Sequence, residues 1–279
     1  MIKKILATIL FTTFLSAHAD NIYIPDLGTA GVMGLSVQKE ESLGNFFIRQ
    51  ARSMPNTVDD PVLNLYVASV GNKLLMNASN VLFPFEFFVV ANNELNAAAF
   101  LGGKVQVNTG LFIYADTEDE FASVLAHEIT HVTQRHIARF IESQKGTQNV
   151  SVASIAGSIA MGILNPALGM AAMSTSLGLS MQHSINFTRE NEQEADRIGI
   201  DLLNKSGFNP QGTVDMFNKL LNMQGKISNV YTMLLTHPLS DERISEARLR
   251  VSQLPKKAYS KNKDFYYAKA RIDARYRNV

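Results

Sequence analysis

The 279-residue sequence contains no cysteine. There can therefore be no disulfide, no thiolate metal ligand, no cysteine nucleophile and no lipid-modified N-terminal cysteine. A metal ion in this protein would have to be bound by nitrogen and oxygen atoms. Net charge is also nearly absent, with 26 Lys and Arg against 25 Asp and Glu, so it gives no reason to expect nucleic acid as a partner.

Long hydrophobic runs are missing as well, and the short one at the start predicts a cleavable signal peptide over residues 1–19. Lys3 and Lys4 are positively charged, Ile5 to Leu15 is apolar, and Ala17-His18-Ala19 provides the small residues expected before a cleavage site. The apolar run is shorter than the roughly 20 residues that span a bilayer, which favours cleavage over the alternative, a membrane anchor. We therefore expect export to a bacterial periplasm.

The remaining sequence predicts many helices and few strands. Helices are expected at about 37–53, 61–78, 117–142, 189–205, 210–223 and 240–253, and strands at 83–90 and around Val105 and Val107. The third helix is expected to be continuous and to begin with a capping box formed by Thr117 and Glu120. The predicted class is α+β, mostly helical with a small β-sheet.

The segment His127-Glu128-Ile129-Thr130-His131 on this third helix has the pattern of a catalytic zinc site. His127 and His131 are four residues apart, so both imidazoles project from one face at a separation that tetrahedral zinc accepts. Glu128 is placed to take a proton from a water molecule that zinc has made more acidic, and to return it later. A five-residue pattern of this kind also occurs by chance on ordinary helices.

A third ligand is the feature that separates these two interpretations. The glycine and histidine that a metzincin would carry after the motif are replaced by Gln134 and Ile137. Glu192 and Asp196 lie on a later predicted helix and share one face, with Glu192 61 residues after His131. One of these carboxylates can bind zinc while the other accepts a hydrogen bond from a ligand histidine. The alternative is a solvated acidic face; beside the upstream motif, ligation is favoured.

The sequence resembles the HtpX-like and CAAX-prenyl-protease-like gluzincin metallopeptidases, and within them a soluble periplasmic branch. The resemblance covers about residues 35–255 and includes Asn96-Ala97, Gly102-Gly103, Asn108-Thr109-Gly110-Leu111, Arg197-Ile198-Gly199 and His237-Pro238 with Arg243. It implies a zincin fold with one zinc ion per chain, bound by His127, His131 and Glu192, and Glu128 as the general base. Asp196 is then the residue that supports a ligand histidine.

The same resemblance implies a function. It is that of a periplasmic zinc endopeptidase that degrades misfolded or stalled outer-membrane proteins, with unfolded polypeptides as substrates and the outer-membrane assembly machinery as a further partner. The expected organisation is a signal peptide (1–19), a metallopeptidase domain (20–254) and a short basic tail (255–279). The family branch carries a helical repeat domain after the protease, and 25 residues are fewer than one 34-residue repeat.

Two other functions are weighed against this one. The first is a chaperone-like binding module, a protease fold whose own cleavage activity is suppressed by His237. The presence of Glu128, a general base, favours a catalytic function instead. An integral-membrane protease of the same family would need long apolar spans, which residues 20–279 lack.

His237 receives a role by resemblance, whereas Arg243 and His136 are interpreted from their positions in the sequence. His237, in a predicted loop before Pro238, corresponds to a histidine that approaches the zinc, where it either closes the free position or supports the oxyanion. Arg243 is expected to be an ion-pair partner, with oxyanion support as the alternative. His136 follows His131 by five residues, so on a continuous helix it turns away from the ligand face and is expected to be structural.

Two segments keep open alternatives. Residues 150–181 are apolar, and Pro166 divides them into pieces of about 14 residues, too short to cross a membrane. We expect a lid over the site or a surface that touches unfolded substrate or a membrane; the alternative is a buried hairpin. Residues 102–107 form either a sheet edge that pairs with extended substrate or an interior strand.

Overall fold

The structure is a computed structural model that describes residues 35–144, 181–223, 231–259 and 262–277. In these ranges the helices are α1 (Val37–Arg52), α2 (Pro61–Leu75), α3 (Thr109–Tyr114), α4 (Glu118–Thr133), α5 (His136–Gln144), α6 (Met181–Lys205), α7 (Gln211–Met223), α8 (Tyr231–Thr236), α9 (Asp241–Gln253) and α10 (Asp264–Arg275). The strands are β1 (Glu86–Val90), β2 (Ala97–Phe100) and β3 (Lys104–Asn108). The predicted class, mostly helical with a small sheet, is confirmed.

Some predictions concern residues outside these ranges. The predicted signal peptide lies wholly outside them, and so does the predicted lid segment except for Met181, where α6 begins. Among the helices that the structure describes, none has the length and apolar character needed to cross a bilayer.

The three strands form a mixed sheet in the order β1-β3-β2. Strand β1 runs parallel to β3, while β2 is antiparallel to it, with Ala97 opposite Val107 and Phe100 opposite Lys104. Strand β3 is therefore central, so the edge interpretation of 102–107 is wrong and the interior one is confirmed. The two edges are β1 and β2, and sequence patterns did not predict β2 because alanine has little preference for strands.

Helix α4 is buried along nearly its whole length. Phe121, Leu125 and Ile129 are fully buried in one core cluster that also receives side chains from the sheet and from α2, α6 and α7. Thr117 caps the helix by accepting a hydrogen bond from the Glu120 amide at 3.2 Å. A helix packed on all sides at interior density has little freedom to shift, so the side chains that it carries are held in fixed positions.

The predicted continuous helix to residue 142 is interrupted after α4. Arg135 has φ of 55°, a left-handed value that is uncommon for a residue with a side chain and that ends helices. Its Nε donates to Glu40 Oε1 of α1 at 2.8 Å, and Glu40 is buried, so a distant helix holds the break in place. Helix α5 then starts at His136.

A helix also lies within the predicted basic tail. In α10, Phe265, Ala268 and Ile272 are buried in the same core cluster as α4. Arg271 donates to Asp60 at the start of α2, with Nε and Oδ2 2.7 Å apart. The boundary at residue 254 stays a prediction, but α10 packs with the helices before it.

Candidate metal centre

Four side chains with metal-binding atoms meet where α4, α6 and the loop after α8 come together. His127 and His131 come from α4, Glu192 from α6 and His237 from the loop. One donor atom of each lies within 4.8 Å of those of the other three. His127 and Glu192 are buried, and His131 and His237 are partly buried. The structure thus brings together all three predicted ligands and the loop histidine.

The distances between these atoms fit a tetrahedral metal ion. His127 Nε2 lies 2.9 Å from His131 Nε2 and 3.3 Å from Glu192 Oε2, and His131 Nε2 lies 3.4 Å from Glu192 Oε1. His237 Nδ1 lies 3.3 Å from His127 Nε2 and 3.1 Å from Glu192 Oε1. Tetrahedral ligands about 2.0–2.1 Å from zinc are about 3.3 Å apart from one another. This donor set of nitrogen and oxygen therefore fits zinc in both chemistry and spacing.

Close packing of α4 and α6 brings the ligands together. A Cβ atom on Gly199 of α6 would lie 3.4 Å from the backbone nitrogen of His127. A methyl group at this position would make only an ordinary van der Waals contact, so the backbones of α4 and α6 approach closely here and Glu192 lies within reach of both histidines.

Behind His127 lies a buried chain of hydrogen bonds. Its Nδ1 is 3.0 Å from Asp196 Oδ1, and Asp196 accepts bonds of 2.6 and 2.8 Å from Nε and Nη2 of Arg243. A proton held on Nδ1 leaves Nε2 free to bind metal. Burial by itself would lower the pKa of His127, but the hydrogen bonds to Asp196 and Glu192 raise that pKa to about 10. The carboxylates of Asp196 and Glu192 thus strongly favour a positive charge on the His127 ring or directly next to it.

Behind His131 lies a second chain, which sequence reasoning missed. His136 Nδ1 is 2.8 Å from His131 Nδ1, and His136 Nε2 is 3.1 Å from Glu194 Oε2. His136 is outside the four-residue cluster, as expected, but the expectation that it turns away from the helix face that carries His131 is wrong. It assumed a continuous helix, whereas the positive φ of Arg135 turns the chain back toward His131. Spacing in the sequence does not reveal such a contact, because it depends on this break.

Glu128 is buried beside the four clustered side chains, and its two carboxylate oxygens have different surroundings. Oε2 accepts a hydrogen bond of 2.8 Å from the Ala99 amide of β2. Oε1 has no hydrogen-bond partner within the described residues and lies 3.4 Å from His237 Nε2. Burial raises the pKa of Glu128 above its ordinary value. One oxygen is thus held in place while the other remains available to a proton donor.

Arg243 connects the His237 loop to α6. Its Nη1 donates to the carbonyl oxygen of Pro238 at 2.7 Å and lies 3.0 Å from Glu192 Oε2. Together with the two bonds to Asp196, these are the contacts of an ion-pair partner; oxyanion support by Arg243 stays a prediction. Burial lowers the pKa of His237, but the nearby carboxylates of Glu192 and Glu128 outweigh that effect and raise it.

Comparison with known sequences identifies the protein family that contains this arrangement of residues. The sequence model of peptidase family M48 matches residues 61–251, more than half of the chain and the part that contains the whole cluster. The chain belongs to peptidase family M48. The predicted resemblance is thereby confirmed, and so is the predicted class of enzyme, a metallopeptidase.

Curated M48 relatives carry more specific names. The β-barrel assembly-enhancing protease of Yersinia pestis is 42% identical over 279 residues, covering 98% of this chain and 57% of its own. The protein of that name from Escherichia coli K12 is 40% identical over 272 residues, covering 97% and 56%. Metalloprotease LoiP of the same strain is 32% identical over 171 residues, covering 61% and 64%. This chain thus spans little more than half the length of the first two.

Proposed function

We propose that this M48 chain is a zinc-dependent endopeptidase of the periplasm that cleaves misfolded or stalled outer-membrane proteins. The observation that carries the proposal is the convergence of His127, His131 and Glu192 next to the buried Glu128. The location and substrate class draw support from the relatives named β-barrel assembly-enhancing protease. Residues 1–19 would provide export as a signal peptide.

Within this proposal the residues divide into ligands and a base. His127, His131 and Glu192 hold the metal. When bound, a zinc ion supplies Lewis acidity, which makes a water molecule more acidic and a peptide carbonyl more electrophilic. Oε1 of Glu128 takes the proton of the attacking water and delivers it to the leaving nitrogen. Its raised pKa suits this role, because a general base works best when its pKa lies near the working pH.

Strand β2 provides a place for the substrate backbone. Asn108 N donates to Asn96 O at 3.1 Å, so in the alternation of an antiparallel pair Ala97 and Ala99 direct their backbone groups away from β3. The Ala99 amide bonds to Glu128, so this outer edge borders the base. An extended chain that pairs with β2 would place its peptide groups next to Glu128.

His237 gives the proposed enzyme a closed resting arrangement. A catalytic zinc site keeps one position open, and His237 Nδ1 lies where a fourth ligand belongs. Arg243 holds the loop there through the Pro238 carbonyl. Substrate entry would require His237 to withdraw.

The test is cleavage of an unfolded outer-membrane protein by the full chain, with and without a chelator, beside Glu128→Gln. Cleavage that chelation abolishes, that zinc restores and that the variant lacks is the expected result. An unaffected variant, or activity that survives complete metal removal, would overturn the assignment. Cleavage of a soluble unfolded protein, with no cleavage of any unfolded outer-membrane protein, would overturn the substrate class alone.

A second candidate function is binding of unfolded chains without cleavage, and the placement of His237 favours it. In that case neither the native chain nor His237→Ala would cut the client, while both would suppress its aggregation. Cleavage by either one would exclude this candidate.

A further inference from the structure

We infer that His136 and Glu194 are positioning residues that fix the tautomer and orientation of His131 through its Nδ1 atom. The two side chains form a chain that starts at His131 Nδ1, crosses the His136 ring and ends at Glu194 Oε2, with contacts of 2.8 and 3.1 Å. The inference rests on the proposed role of His131 as a metal ligand.

The direction of the hydrogen bonds follows from proton counting. Two nitrogens 2.8 Å apart need one donor and one acceptor. If His136 Nδ1 were the donor, the Nε2 atom of a neutral His136 would carry no proton and would face the Glu194 carboxylate, so two acceptors would meet. The opposite direction satisfies every atom: His131 Nδ1–H donates to His136 Nδ1, and His136 Nε2–H donates to Glu194.

This direction has a consequence for the other nitrogen of His131. A neutral imidazole with its proton on Nδ1 has a free lone pair on Nε2, the atom that faces the ligand cluster. His136 and Glu194 therefore do for His131 what Asp196 does directly for His127. In this interpretation neither ligand histidine is free to take up the other tautomer.

The end of the chain is held from α5. Glu194 accepts a hydrogen bond of 2.7 Å from Arg139 Nη1, and both Arg139 and His136 belong to α5. His136 is buried, whereas the side chains of Glu194 and Arg139 are partly exposed. The imidazole of His136 thus links the partly buried His131 to a carboxylate nearer the surface.

Zinc affinity, measured by competition with a chromogenic chelator, tests the inference. We compare His136→Leu, which removes the acceptor, with His136→Asn, whose Oδ1 can accept a bond near the Nδ1 position. His136→Leu should weaken zinc binding by about 10–100-fold, as loss of a group that orients a ligand does, and His136→Asn should recover most of it. Asp201→Ala is the control on α6, because Asp201 pairs with Arg250 and not with His136. Asp201→Ala should bind zinc like the native chain, whereas Glu194→Ala should bind it more weakly.

Two further readouts separate positioning from packing. The visible absorption of the Co²⁺ form should change in His136→Leu and return toward native in His136→Asn. In the metal-free native protein, ring ¹⁵N shifts should place the proton of His131 on Nδ1. Proton on Nε2 would overturn the inference, even if His136→Leu does not fold.

The outcomes also separate this inference from the proposed function. Native zinc affinity in a folded His136→Leu, with only a lower melting temperature, would make His136 a packing residue and leave the proposed function intact. Failure of the native chain to bind zinc stoichiometrically would overturn both.

Discussion

At the scale of single residues, the different contacts of the two Glu128 carboxylate oxygens suggest a test of whether Glu128 is the general base. The Ala99 amide fixes Oε2, while Oε1 is available as a base. Glu128→Gln keeps the shape and leaves the ligands in place, but removes the proton acceptor. Peptidase turnover should fall by at least about 100-fold at unchanged zinc content, as measured by steady-state cleavage and metal analysis. Turnover within a few-fold of native would show that another group takes the proton.

Glu192 and Asp196 share a helical face but differ in what they contact. Glu192 faces His127, His131 and His237, whereas Asp196 lies between His127 and Arg243. Glu192→Ala should lose most of the bound metal, and Asp196→Asn should weaken affinity by about 10–100-fold. Equilibrium dialysis against zinc measures both. If the two effects were reversed, Asp196 would be the ligand.

His237 is predicted to restrain the enzyme, because its Nδ1 lies close to His127 and Glu192. His237→Ala should raise the rate of cleavage of an unfolded substrate and leave zinc content unchanged, since three ligands remain. Steady-state kinetics of the native chain and the variant on one substrate shows whether turnover rises or falls. A fall in turnover on the order of 10²-fold would instead assign His237 to the oxyanion.

Residue spacing was sufficient to place His127 and His131 on one face of α4, because positions four apart on a helix face one way whatever surrounds them. Spacing left Glu192 and Asp196 as alternatives for the third ligand, and the family resemblance pointed to Glu192. His136 shows where that reasoning stops. Its direction depends on Arg135, whose conformation depends on Glu40, 95 positions earlier in the chain. A contact of this kind belongs to the tertiary structure and has no local pattern.

At the scale of elements, α2 shows how one carboxylate joins two helices. Asp60 caps α2 by accepting from the Val62 and Leu63 amides, and it also pairs with Arg271 of α10. Burial opposes the ionisation of Asp60, but Arg271 and the amides outweigh it and lower the pKa. Asp60→Asn keeps a capping side chain and loses the charge.

At pH 7, Asp60→Asn should reduce the free energy of unfolding by about 1–3 kcal/mol, measured by urea titration, because the Asp60 carboxylate is buried while Arg271 is partly exposed. The folded-state pKa of Asp60 lies below its unfolded value, so its contribution is complete above pH of about 4 and is lost as pH falls through the folded pKa. The difference between the two proteins should therefore close in acid. A difference that grows in acid would contradict this sign.

The helices predicted best are those whose ends carry their own chemistry. Asp60-Pro61 starts α2, and Ser240 caps α9 through a bond to the Arg243 amide, all within four positions. Strand β2 and helix α10 were missed. The sequence of β2 has little strand preference, and α10 is stabilised by burial of Phe265 among residues distant in sequence.

At the scale of the whole molecule, Phe265 tests whether α10 unfolds together with the catalytic helices. Its ring is fully buried against Tyr66 and Phe121, whereas its neighbour Tyr267 is 70% exposed. Phe265→Ala should lower the free energy of unfolding by about 3–5 kcal/mol, in a single transition seen by circular dichroism. Tyr267→Ala is the control and should change it by less than about 0.5 kcal/mol. If Phe265→Ala lowered the free energy of unfolding as little as Tyr267→Ala does, α10 would lie outside the cooperative unit.

The outer edge of β2 has a consequence for which clients the proposed enzyme would cut. An edge strand binds peptide groups, and in a folded client those groups are already paired with one another. Selection would then depend on time: a client that completes its own hydrogen bonds quickly escapes, and one that stalls is cut. Folding rate, rather than amino-acid sequence, would decide the fate of the client.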